Sequence, residues 1–201
     1  MFHLFLKGGP IMWPLLITSI VSISVVLERL FFILLIRRRK DEEARHKILQ
    51  SVEKGSLEDA LGVAEHTEDF VARVLGYGLK HRGDSLGNAL LRAANLELKK
   101  FNRGLPVLDT VITLAPLLGL LGTVTGMIHA FGLLGTQDIS SPAAITGGIA
   151  EALIATAFGL GIAITALIPF NYLNSILEEA RHDIEDAATH LELLFRKQES
   201  N

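Results

Sequence analysis

The sequence has no cysteine in its 201 residues, which excludes a disulfide, a thiolate metal site and a cysteine nucleophile. It leaves the compartment open. There is no phosphate loop, no dinucleotide-binding glycine pattern and no metal-ligand histidine spacing, so the usual signatures of nucleotide and metal chemistry are missing. No internal repeat or low-complexity tract is visible. The most informative scarcity is of charge. After Asp109 no Asp, Glu, Lys or Arg occurs until Asp138, and after Glu151 none occurs until Glu178. Gly8 to Leu27 is also uncharged, and the apolar character continues to Ile36 apart from Glu28 and Arg29. The net charge of −3 says little about a chain divided between lipid and water.

What is present are three apolar segments, 11–36, 105–134 and 143–173. A bilayer core takes about 20 residues of helix, so each can cross it and still tilt or project beyond it. The expected fold is all-α: an integral membrane protein with three transmembrane helices, the long helices extending into a cytoplasmic helical domain. Of the 19 Lys and Arg, 14 lie between Arg37 and Arg103, and Arg181, Arg196 and Lys197 follow the third span. Residues 135–142 carry none, and only Lys7 precedes the first span. The positive-inside rule then places 37–104 and 174–201 in the cytoplasm, with 1–10 and the 135–142 loop outside. The cluster Arg37, Arg38, Arg39 and Lys40 is the strongest anchor. A cleavable signal peptide has its charge before the apolar run; here the order is reversed, so the first span reads as retained. Trp13 and Tyr172 suit the interfacial belts. Glu28 and Arg29 read as a local anchor snorkelling toward the cytoplasm. Asp109, at the inner mouth of the second span, either attracts cations or caps local structure.

Residues 41–104 read as helical hairpin material forming a stalk or collar. Ser56 with Asp59 three residues on resembles a capping box, followed by the stripe Leu57, Ala60, Leu61 and Ala64. Phe70, Val71, Val74 and Leu75 mark a second helix. Gly83-Asp84-Ser85 breaks the chain before Leu86, Ala89, Leu90, Ala93, Ala94 and Leu98 resume the helical period. In the tail, Ile184, Ala187, Ala188, Leu191, Leu194 and Phe195 share one side, which predicts a helix extending the third span.

Within the spans, Ile112, Pro116, Gly119, Thr123, Gly126 and Ala130 recur at helical steps, as do Gly148, Ala152, Thr156, Gly159 and Ala163. Pro116, Gly119, Gly122, Gly126, Gly148 and Gly159 are read as packing positions, because small residues let helix backbones approach closely in lipid. The threonines have two readings. A membrane Thr hydroxyl usually bonds a carbonyl three or four residues earlier in its own helix. Yet Thr123 and Thr156 each lie about 16–20 Å in from the outer face by helical rise, and facing a shared cavity they would make a polar belt. Glu151 is a costly group in hydrocarbon and is a functional-site candidate by default; its alternative is a buried structural hydrogen bond. It lies about 13 Å past a helix start at Ser141-Pro142, too deep for capping. Glu151 and Thr156 are separated by about 140° of helix turn, so one should look sideways. His129 reads as interfacial rather than as a proton relay.

The stretches Ala115-Pro116-Leu117-Leu118-Gly119-Leu120-Leu121-Gly122-Thr123-Val124 and Gly148-Ile149-Ala150-Glu151-Ala152-Leu153-Ile154-Ala155-Thr156 closely resemble the signatures of the ExbB/TolQ/MotA proton-channel family. The resemblance covers about residues 108–174, with the motifs in order around a short outer loop, and three spans place it nearest the ExbB/TolQ branch. It implies a homopentamer whose second and third spans line a pore. A dimer of single-span ExbD/TolR-like partners would stand in that pore and supply a protonatable aspartate. A TonB/TolA-like protein would transmit force. Thr123, Thr156 and Glu151 match the family's pore threonines and intramembrane glutamate. No cofactor, metal or nucleic-acid partner is implied; membrane lipids are. The expected function is a channel-forming stator subunit of a proton-driven inner-membrane motor rather than an enzyme. The competing reading is a passive membrane scaffold using the same small-residue faces. An intramembrane hydrolase would need a nucleophile with a base, and no serine or aspartate lies at the depth of His129.

Overall fold

The computed structural model describes Phe5 and residues 7–132 and 142–199, and all regular structure among them is helical. The helices are α1 (Met12–Arg39), α2 (Glu42–Glu53), α3 (Leu57–Glu65), α4 (Phe70–Lys80), α5 (Arg82–Asn102), α6 (Leu105–Gly132) and α7 (Pro142–Glu199). Three of them, α1, α6 and α7, are long and apolar enough to cross a membrane. The outer loop and the proposed cap at Ser141 fall outside the described residues. The tail continues the third apolar stretch without a break, making α7 a single helix of 58 residues. The chain divides into two compact units, residues 1–29 with 104–172 and residues 30–103 with 173–201.

In the first unit, α1 begins where the Gly9 carbonyl accepts the Met12 N–H at 3.2 Å and the Pro10 carbonyl accepts that of Trp13 at 3.3 Å. One face of α1 is buried through Met12, Leu15, Thr18, Ser22 and Arg29, steps of three to seven residues that keep to one side of a helix. Met12 and Leu15 form a core with Ala115 of α6 and Ala163 of α7. The opposite stripe of α1, Trp13, Ile17, Ile20 and Leu27, is exposed, as expected of a lipid-facing surface.

The second unit is a small bundle. Asp41 caps α2 by accepting the Ala44 N–H at 2.9 Å, and Asp69 caps α4 by accepting that of Ala72 at 2.9 Å. Gly55, at φ +80°, stands just past the end of α2, where a left-handed residue stops a helix and glycine bears it without strain. Ser56 occupies the cap position of α3, but its side chain makes no cap hydrogen bond, so the capping box read from Ser56 and Asp59 is not formed. The break expected at Gly83-Asp84-Ser85 is a kink at Ser85, whose backbone is extended at φ −170° and ψ 113°; its hydroxyl accepts the Asn88 N–H at 3.3 Å. Ile48, Val52, Ala60, Val71, Leu75, Leu79, Leu90, Ile184 and Leu191 fill the core. Phe70 meets Phe101 edge-on at 5.2 Å.

Candidate membrane-embedded site

The site is built on close approach of α6 and α7. A Cβ at Gly159 would stand 2.5 Å from the Ala115 carbonyl oxygen, and one at Gly119 would stand 3.0 Å from Thr156 Cα. A Cβ at Gly126 would meet Ala152 Cβ at 3.0 Å, one at Gly148 would meet Ala130 Cβ at 2.8 Å, and one at Gly122 would run into Ala155 Cβ. The small residues of the two helices therefore face each other inside one chain, backbone against backbone. In lipid such contact supplies the van der Waals packing that holds helices together. Pro116 is half-buried beside this seam and lacks the N–H that would close a bond to the Ile112 carbonyl.

The two threonines part company. The Thr156 hydroxyl donates across the seam to the Gly119 carbonyl at 3.1 Å, whereas the Thr123 hydroxyl donates to Leu120 of its own helix at 2.7 Å. In an α-helix the Gly119 carbonyl also accepts the Thr123 N–H, four residues on. Thr156 is thus level with Gly119, about 6 Å (one turn) from Thr123. Thr123 opens onto a shallow apolar hollow with Val124, Met127, Ile128 and Phe131.

Glu151 points elsewhere. A Cβ at Gly9, in the turn that leads into α1, would collide with its Oε1 and lie 2.7 Å from its Cδ. The half-buried Glu151 carboxyl is thus set against the Gly8-Gly9-Pro10 turn, while Thr156 is set against α6. The paired glycines before Pro10 were a signal that something approaches the turn closely, but the sequence does not say that it is Glu151. His129 is exposed on α6.

Arg29 is only 2% exposed. Its guanidinium donates to the Glu28 carboxylate, Nε to Oε2 at 2.6 Å, and its stem lies against Gly104, where a Cβ would meet Cδ at 3.3 Å. The snorkelling side chain expected from sequence is instead a buried, paired one, because the stem finds protein packing on the inner face of α1 rather than lipid. Among the basic residues after it, Arg39 pairs with Glu68 at 2.9 Å and Lys40 with Asp183 at 3.4 Å.

Sequence reading missed the polar centre of the second unit. Asp69, fully buried, accepts from Arg45 Nε at 2.9 Å and Nη2 at 2.8 Å, and from the Asp41 N–H at 3.1 Å. Arg45 also donates to Asp183 of α7 at 3.2 Å and lies over the Phe70 ring. Burial alone would raise the Asp69 pKa; the Arg45 guanidinium and the N–H groups of Ala72 and Asp41 outweigh it and hold the carboxyl below its usual range. Burial likewise opposes the Arg45 charge, and Asp69 and Asp183 overcome it, raising its pKa. Among the described residues no cluster of His, Asp and Glu is arranged to hold a metal ion.

Three apolar helices, a glycine-lined hairpin and a single carboxylate among the described residues 142–177 define a polytopic helical membrane protein with a polar group inside its spans. The chain belongs to the MotA/TolQ/ExbB proton channel family, whose profile matches residues 65–186, a stretch that includes Thr123, Glu151 and Thr156. It is similar to ExbB-like 1 of Synechocystis sp., at 38% identity over 200 residues, covering 96% of this chain and 78% of that protein. The ExbB homolog of Methanothermobacter thermautotrophicus is 31% identical over 186 residues, 91% of this chain and 66% of that one. Biopolymer transport protein ExbB of Neisseria gonorrhoeae is 38% identical over 102 residues, half of this chain and 46% of its own length.

Proposed function

We propose that this chain is the channel-forming stator subunit of a proton-driven motor of the ExbB/TolQ type, coupling proton flow to mechanical work on the cell envelope or to energised transport. The observation that carries the reading is Glu151, a carboxylate on a helix otherwise uncharged from residue 142 to 177, at a depth where a scaffold needs none. Family membership supports it. In this reading the chain sits in a bacterial inner membrane, with the N-terminus and the 135–142 loop periplasmic and the basic segment 37–104 cytoplasmic. Copies assemble as a pentamer around a pore, in which stands a dimer of single-span ExbD/TolR-like partners. A TonB/TolA-like protein passes on the force. The small faces of α6 and α7 are already spent on each other within one chain. The surfaces left for neighbours and pore are therefore the residues beside them, such as Thr123, Val124 and Ile128 on α6.

Glu151 and the threonines form the proton path. Reconstitution with a single-span ExbD/TolR-like partner and measurement of proton flux tests this. Glu151→Gln fills the same space and keeps hydrogen-bonding capacity but cannot carry a proton, so flux should collapse while the oligomer survives. Full flux in Glu151→Gln, with assembly lost in Glu151→Ala, would transfer the case to the scaffold reading.

A further inference from the structure

The proton-path reading needs Glu151 in a defined place, and the turn before α1 is built to define it. Gly9 has φ +72°, a left-handed conformation that side-chain-bearing residues adopt with strain. A Cβ there would occupy the space of Glu151 Oε1 and approach Cγ to 3.1 Å. Gly8 is confined as well, though less so, since its Cβ would meet Met12 Sδ at 2.5 Å and Ile154 Cγ2 at 3.1 Å. Both partners of the contact are themselves held. The turn is tied to α1 through the Gly9 carbonyl and the Met12 N–H at 3.2 Å, and Met12 is buried against Ala115 and Ala163. On the other side, Ala152, next to Glu151, is buried against Gly126. The backbones that carry the turn and Glu151 are therefore both held by core packing.

We propose that the Gly8-Gly9-Pro10 turn is the positioning element for Glu151: the bare Gly9 backbone forms the wall against which the carboxyl is seated. Gly9 takes no part in proton transfer. It acts through Glu151, and this role rests on the assignment of Glu151 to the proton path.

The test uses the full-length oligomer in lipid nanodiscs, with thermal midpoints for Gly9→Ala, Glu151→Ala and the double variant. Gly55→Ala serves as the reference, because Gly55 also has positive φ, +80°, but has nothing within 4 Å of its Cβ position, so it reports backbone strain alone. Gly9→Ala should lower the midpoint further than Gly55→Ala, and in the Glu151→Ala background the excess should disappear. The infrared carboxyl band of Glu151, identified by difference against Glu151→Gln, should shift in Gly9→Ala, a change that loss of turn stability alone would not cause. An undiminished Gly9→Ala penalty without Glu151, or an unmoved band, overturns the proposal. Should Gly9→Ala fail to assemble, Glu151→Asp, which withdraws the carboxyl by one methylene, should restore it; failure to restore it also overturns the proposal. The proton-path reading fails separately: a fully conducting Glu151→Gln refutes that reading and leaves the coupling of residues 9 and 151 measurable.

Discussion

Thr156→Ala separates a hydroxyl that conducts from one that only packs. The change removes one hydrogen bond, to the Gly119 carbonyl at 3.1 Å, and one methyl's worth of volume. Such a bond contributes about 1 kcal/mol net in soluble proteins and nearer to about 0.6 kcal/mol between membrane helices. The lost methyl adds about 0.5–1.5 kcal/mol, and for a chain of about 200 residues the total of about 1–2.5 kcal/mol corresponds to a midpoint lowered by roughly 2–10 °C. Against a folding stability of about 5–15 kcal/mol, essentially every molecule stays folded at room temperature. A fall in proton flux beyond about tenfold, equivalent to roughly 1.4 kcal/mol of barrier, then cannot come from lost folding. Flux into liposomes, with the partner present, should fall by more than that in Thr156→Ala and be largely kept in Thr156→Ser. Thr165→Ala is the control: its hydroxyl serves only Gly161 and Ile162 of its own helix, so flux should be unchanged. Native flux in Thr156→Ala, or equal damage in Thr165→Ala, would refute the reasoning.

Gly159→Ala must push on a backbone carbonyl at 2.5 Å and should cost about 1–3 kcal/mol by overpacking, whereas Gly161→Ala, with open space around it, should be neutral or gain up to about 1 kcal/mol; thermal unfolding in detergent compares them. Asp69→Ala leaves a largely buried Arg45 and a cap N–H without their carboxylate and should cost about 3 kcal/mol or more, read by the midpoint of helix unfolding. Because the folded Asp69 pKa is lowered, its contribution is complete above the unfolded value of about 3.9 and is lost as pH falls through the lower folded value. The midpoint difference between native protein and Asp69→Ala should therefore be constant near neutrality and shrink below about pH 4; a difference that persists unchanged at pH 2 would contradict the assignment.

Much of the architecture was legible because it depends on local composition. A charge-free run of about 20 residues has one stable form in lipid, a helix that satisfies its own backbone, so the three long helices follow from where Asp, Glu, Lys and Arg are missing. The helical tail was legible from the period of Ile184, Ala187 and Leu191, all buried. The capping box at Ser56 failed because a cap depends on side-chain geometry that residue type only permits. The caps that form, Asp41 and Asp69, lack the capping-box pattern that drew attention to Ser56.

Chain order alone puts Glu151 within the third apolar stretch, sets Thr123 and Thr156 at similar distances from the ends of theirs, and gathers basic residues after the first. Only the tertiary structure decides what each of these groups touches. Rotation of a helix about its axis turns a small-residue stripe toward a neighbour or away from it, and α6 and α7 turn theirs inward, so Thr156 reaches Gly119 while Thr123 stays on its own helix. Arg29 is buried rather than extended to water because the Gly104 turn offers its stem a place. Asp69 draws Arg45 to itself and through it reaches Asp183, more than a hundred residues along the chain, and Glu151 meets Gly9 across a similar distance. Contacts of that separation depend on how packed helices are rotated and registered, a free energy summed over many distant pairs that no local window of sequence contains.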